Sequence, residues 1–188
     1  MNFKFISVVL TILSLMACAS EPTAIRLNPS IIKQSNNIYQ EVSAKISVSD
    51  LRSTYHIVEV LNADEPSTLI GSTSTLSDVL NQQFSNELAA QGLTLAESST
   101  VTLQFNVERA RTYVNQDVLD YRANTIIKLK VNVENPAQTL SKTFTLRATT
   151  RGALTANIAE LQRDFNLQLS KLIVQVLEDQ QLQNFIKG

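Results

Sequence analysis

A single histidine, His56, sits in the segment STYHIVEV, and any imidazole chemistry in this chain has to be built around it. An imidazole needs a second group to work with: a carboxylate or hydroxyl that exchanges a proton, or further ligands that share a cation. Glu59 is the nearest carboxylate downstream, and on an alternating strand a separation of three residues puts it on the opposite face. The serines are numerous but have no base at a recognisable spacing, and the sequence contains no G-x-S-x-G elbow, no P-loop and no H-E-x-x-H. No catalytic residue, metal ligand or cofactor is assigned on this basis. Three polar groupings remain. Asp50 and Arg52 are one strand step apart, as either a hook for a partner or a strand-end ion pair worth little at a surface. Arg109 and Arg111 share a face if strand pairing continues, with Lys128 and Lys130 opposite, a stripe suited to glycan phosphates or carboxylates unless Glu108 and Glu134 balance it. The segment TYVNQDVLDYR gathers Tyr113, Asp117, Leu119, Tyr121 and Arg122 near a hairpin tip, where they form a partner-binding surface or cap the end of the core.

The only cysteine, Cys18, closes an N-terminal run that begins with Lys4 and continues through the apolar stretch Phe5 to Leu13. That stretch is too short to span a bilayer of about 30 Å and reads as a signal segment, residues 1–17. Leu15-Met16-Ala17-Cys18 resembles the bacterial lipobox, in which the cysteine sulfur is acylated. The resemblance implies anchoring through Cys18, with each buried methylene contributing about 0.8 kcal/mol. Ala19 and Ser20 follow where an inner-membrane lipoprotein tends to carry Asp, which implies the outer membrane, with the domain in the periplasm. Removing 17 of the 188 residues leaves 171, one ordinary domain, with 15 basic against 17 acidic residues. A net charge of −2 points to no nucleic-acid partner, and no thiol is left for a disulfide within the domain.

The elements that would position these groups follow from periodicity. Residues 18–43 are polar and interrupted by Pro22 and Pro29, a lipidated tether whose Ile25 and Leu27 alternate as if part of it lay against the domain, residues 44–188. AKISVSDLRSTYHIVEV predicts two short strands or one bent one, and LNADEPSTLIGSTS a loop. Leu76, Val79, Leu80, Phe84 and Leu88 repeat at helical spacing, between a cap at Thr75 and a stop at Gly92. VTLQFNVE, TIIKLKVNVE and KTFTLRA each alternate apolar and polar residues, three consecutive strands with one wet side. From Asn157 a long helix carries the stripe Ile158, Leu161, Phe165, Leu169, Leu172, Ile173, Val176 and Leu177. The expectation is an α+β two-layer sandwich, an antiparallel meander sheet with two helices packed on one face.

With the lipobox, LNPSI, ISVSDLRS, LAAQGL and the tail LQNFIKG taken together, the chain resembles the YajG family of Gram-negative outer-membrane lipoproteins. The resemblance implies a lipid-anchored periplasmic domain and supplies no catalytic residues. The expected function is a non-enzymatic binding or structural module of the cell envelope. It would be held to the membrane through acylated Cys18 and would meet an envelope protein, peptidoglycan or lipid. The alternative is a periplasmic hydrolase of envelope glycan or peptide using scattered Asp or Ser groups.

Overall fold

The computed structural model describes residues 24–32, 36–62 and 65–188, so Cys18 and the signal segment lie outside the described residues. Among the described residues ten elements follow in order: β1 Ser43–Asp50, β2 Val58–Leu61, β3 Thr68–Ile70, α1 Leu76–Ala90, β4 Thr94–Leu95, β5 Thr102–Gln116, β6 Asp120–Glu134, β7 Thr139–Ala153, α2 Ile158–Leu177 and α3 Gln180–Lys187. The seven strands form one mixed sheet, curled into a half-barrel.

This corrects the expected sandwich in two respects. The sheet is a meander only from β5 to β7, where long antiparallel ladders run from Thr102↔Glu134 to Gln116↔Tyr121 and from Glu134↔Thr139 to Asp120↔Ala153. On the other edge of β5, β1 and β2 lie end to end, both parallel to it: Lys45 to Asp50 beside Thr102 to Val107, and Val58 to Leu61 beside Thr112 to Asn115. Alternation within a strand reports which face is wet and is silent about the direction of its neighbour; here α1 is part of the crossover that returns the chain parallel to β1. The second difference is a third helix. The long helix ends at Leu177, and Asp179 starts α3 by accepting the Leu182 N–H at 3.0 Å.

Local chemistry accounts for the ends of the other helices. Thr75 Oγ1 accepts from Asp78 N–H at the start of α1, and Gly92 beyond its end takes φ +93°, a left-handed conformation that favours glycine. Asn157 caps α2 by accepting from Ala159 N–H. All three helices contribute to one core on one face of the sheet, in which Phe84 of α1 stacks on Phe105 of β5 with ring centroids 4.0 Å apart. The segment before β1 is partly docked. Ile25 and Leu27 are buried in that core, Ile25 bridges to Ser72, and Tyr39 is buried, its phenol pushed up to about 12 by desolvation.

Candidate functional site

The face of the sheet opposite the core carries no helix among the described residues, and what it presents depends on one irregularity. Leu103, Phe105 and Val107 point into the core, so strict alternation would send Arg109, Arg111 and Tyr113 inward as well. A β-bulge between Val107 and Arg109 inserts one residue and reverses the parity. Ala110, Thr112 and Val114 become the buried set, and Arg109, Arg111 and Tyr113 turn outward. Buried Thr112 and Thr125 then share a hydroxyl–hydroxyl hydrogen bond of 2.8 Å across β5 and β6.

The register assembles the cations of three strands on the outer face. Arg109 lies opposite Lys128, Asn106 opposite Lys130, and Arg111 opposite Ile126, which in turn faces Arg147 of β7. With strands about 4.8 Å apart and two-residue steps of about 6.8 Å, these groups occupy a patch roughly 10 Å by 14 Å. Arg122 and Arg151, paired in register, extend it toward the hairpin tip. Two cations are neutralised: Lys128 by Glu108 at 2.7 Å and Arg111 by Glu59 at 3.2 Å. Arg109, Lys130, Arg147, Arg122 and Arg151 form no ion pair among the described residues. The stripe read from sequence is thus present and wider, because Arg147 and Arg151 join it; KTFTLRA and the following TTRG carry the alternation that reveals them.

Asp50 and Arg52 form a different arrangement from a surface pair. The Arg52 guanidinium donates to both Asp50 oxygens, Nε at 2.8 Å and Nη2 at 2.7 Å, with the two side chains only 6% and 11% exposed. Its Nη1 donates to Ala110 O at 3.0 Å, filling the gap in the ladder where the chain leaves β1 and has not yet begun β2. Arg52 therefore serves as a structural plug at the bulge. It also floors an open cleft of ≈ 900 Å³ bordered by Tyr55, His56 and the Gly71–Asp78 turn. His56 Nε2 is 3.3 Å from Glu59 Oε2, and that carboxylate also accepts from Arg111. The contact exists because His56 precedes β2, which begins at Val58, so alternation did not apply to the pair. No serine or threonine hydroxyl hydrogen-bonds His56, and no group of three potential metal ligands occurs among the described residues.

The hairpin-tip residues are divided by the fold. Tyr121 is 4% exposed; its hydroxyl donates to Glu160 Oε2 at 3.0 Å, and burial, then the Glu160 hydrogen bond and charge, raise its pKa. Gly152 leaves room for its ring. Tyr113 is half-buried on the outer face beneath the Arg111 guanidinium, 5.7 Å from the ring centroid. Asp117, Leu119 and Arg122 are exposed, and Asp117 and Arg122 help line a hollow of ≈ 450 Å³ with Asp120, Tyr121 and Arg151.

Comparison with known proteins adds the family. Residues 29–187 match the model of a family described as uncharacterized lipoprotein. The chain is 23% identical over 188 residues to the uncharacterized lipoprotein YajG of Escherichia coli strains K12 and O6:H1, covering 98% of this chain and 96% of each relative. Among solved structures, a Xanthomonas campestris protein of family DUF330 superposes with TM-score 0.62 at 14% identity, over 87% of this chain and 97% of that one. A Helicobacter pylori protein, named for homology to a neuraminyllactose-binding hemagglutinin, superposes with TM-score 0.50 at 11% identity, over 87% and 96%. These structural likenesses speak for the fold. The family match, spanning nearly all of the domain, establishes that the chain belongs to the YajG family of lipoproteins, membrane-anchored proteins of the cell envelope.

Proposed function

We propose that this lipoprotein is a non-enzymatic binding module, tethered through acylated Cys18 to the periplasmic face of the outer membrane, whose open sheet face holds an anionic glycan of the envelope. The observation that carries the reading is the set Arg109, Lys130 and Arg147: three cations without ion pairs among the described residues, on a three-stranded surface that no described helix covers, in a chain whose net charge is slightly negative. Arginine forks suit carboxylates and phosphates, and a paired sheet presents them at the spacing its register sets. The partner class is a glycan bearing carboxylates or phosphates, peptidoglycan included. The sialylated sugar in the name of the Helicobacter protein is also a carboxylate-bearing glycan, a parallel in chemistry only. The hydrolase alternative has less support, because no serine or threonine hydroxyl hydrogen-bonds His56 among the described residues. Outer-membrane placement rests on Ala19 and Ser20 after the lipobox.

The test is co-sedimentation of the purified lipoprotein with peptidoglycan sacculi across a salt series. Arg109→Gln, Lys130→Gln and Arg147→Gln combined should weaken retention at low salt and flatten its salt dependence, with thermal stability unchanged. Full retention by the triple variant would rule the face out. A Cys18→Ala variant processed and lipidated like the parent would rule out the anchor.

A further inference from the structure

The end of the β5–β6 hairpin carries the wrong residues for a turn. Asp117 N–H donates to Asp120 O at 2.8 Å, closing a tight loop whose two central residues are Val118 and Leu119, 87% and 77% exposed. Such positions favour Gly, Asn and Asp; aliphatic side chains there gain nothing from the fold and present bare hydrocarbon to water. A third aliphatic joins them. Leu154 donates its N–H to Leu119 O at 2.8 Å, is 64% exposed and adopts φ +63°, a left-handed conformation in which leucine is strained. Below this cap lies the rim of the ≈ 450 Å³ hollow, with Asp117 and Asp120 balancing Arg122 and Arg151, none of them in an ion pair among the described residues.

The docked N-terminal segment shows which way this end faces. Arg26 N–H donates to Gln162 Oε1 at 2.7 Å and Asn28 N–H to Asn166 Oδ1 at 2.8 Å, while Asn166 Nδ2 donates back to Arg26 O at 2.9 Å. Two residues of extended chain, about 6.6 Å, thus keep step with four residues of α2, about 6 Å. Continued back by two residues, Ala24 is level with Ile158, the first residue of α2, four residues beyond Leu154. The first turn of α2 is itself tied to the hairpin by Tyr121 and Glu160, and Ala156 N–H donates to Gln116 Oε1. Cys18 lies six positions before Ala24, and a chain of that length reaches at most about 20 Å. With Ala24 beside the start of α2, that reach allows an acyl group on Cys18 to hold the tip end of the domain close to the bilayer.

We infer that Val118, Leu119 and Leu154 insert into the phospholipid surface that carries the chain's own acyl anchor. The rim matches headgroups that hold both charges, with Arg122 and Arg151 facing phosphates and Asp117 and Asp120 facing ammonium groups, as in phosphatidylethanolamine. This orientation stands the β5–β7 face along the membrane normal, where it reaches into the periplasm. The inference rests on the reading of Cys18 as the acylated residue.

The chain contains no tryptophan, so Leu119→Trp creates a single fluorescent reporter, with Val118→Trp in reserve if its folding is impaired. Gln138→Trp, in the β6–β7 turn at the far end, is the control. Full-length lipidated protein is reconstituted into phosphatidylethanolamine–phosphatidylglycerol vesicles with and without brominated acyl chains. Leu119→Trp should emit to the blue of Gln138→Trp and be quenched several-fold more strongly by bromine. Mass spectrometry of the same sample reports acylation. Equal, solvent-like behaviour of the two reporters in protein acylated at Cys18 overturns the inserted tip and leaves the anchor standing. An unmodified Cys18 overturns the anchor; quenching of Leu119→Trp on added vesicles would then uphold the tip, and its absence overturn it.

Discussion

Residues that look alike in sequence do different work here because burial differs. Arg52 and Arg147 are both flanked by uncharged residues, yet Arg52 is 8% exposed, holding Asp50 and two backbone carbonyls, while Arg147 is exposed on the open face. Breaking a buried pair from one side strands the remaining charge. Arg52→Met should therefore cost about 3–5 kcal/mol in urea unfolding, with part of the loss recovered by adding Asp50→Asn. The two tip tyrosines separate by the same logic. Tyr121→Ala should cost about 3–5 kcal/mol as a buried aromatic truncation, and Tyr113→Ala, half-exposed, well under half of that. Gly152→Ala should be costly too, because its Cβ would lie 2.3 Å from Tyr121 Cε1 and the packed ring has to move.

At the scale of elements, the break between α2 and α3 is an electrostatic joint. Asp179 caps α3 and accepts from Lys142 Nζ of β7 at 2.6 Å, and Lys142 also reaches Gln181. Burial works to raise the Asp179 pKa, but hydrogen bonds from Lys142 and the Leu182 N–H, with the Lys142 charge, outweigh it and the value falls below that of a free aspartate. A carboxyl depressed in the folded state contributes stability that is complete above its unfolded value, about 3.9, and is lost as pH falls through the folded value. Thermal stability measured from pH 5 downward should thus decline below about pH 4 in the parent, and Asp179→Asn should be less stable near neutrality with a flatter acid limb. A parent and variant with parallel acid limbs would assign the decline to other carboxylates. The last helix is secured independently by Leu182 and Ile186, both buried.

Over the whole molecule, the N-terminal segment that leads back to the proposed anchor is also part of the core. Ile25 is fully buried, its N–H donates to Gly71 O at 2.9 Å and its carbonyl accepts from Thr73 N–H at 2.9 Å. Ile25→Ala should lower stability by about 2–5 kcal/mol, measured by denaturant midpoint at constant slope, an unusual cost for a residue seven positions from the proposed lipidation site. On the proposed anchoring at Cys18, the same docking would orient the domain, since a free tether of residues 18–43 would let any surface face the membrane.

Much of this architecture is written in local pattern. The stripe from Leu161 to Leu177, the cap at Asn157 and the alternation around Leu103, Leu129 and Phe144 each follow from the geometry of a single element, which is why α1, α2 and the β5–β7 ladder were legible from residues alone. The basic stripe was legible for a reason that needed amending: Arg109 and Arg111 face solvent only because one extra residue at Glu108 reverses the pleat, and a bulge is specified by two strands together. Strand direction, the burial of Arg52 and Tyr121, and the docking of Ile25 on the loop at Gly71 and on α2 all depend on partners dozens to more than a hundred residues away. Periodicity within one segment carries no information about them. Short-range order came from side-chain spacing; the placement of the N-terminal segment and of the β5–β6 hairpin against α2 came from the distant pairs Arg26–Gln162 and Tyr121–Glu160 that the closed core brings together.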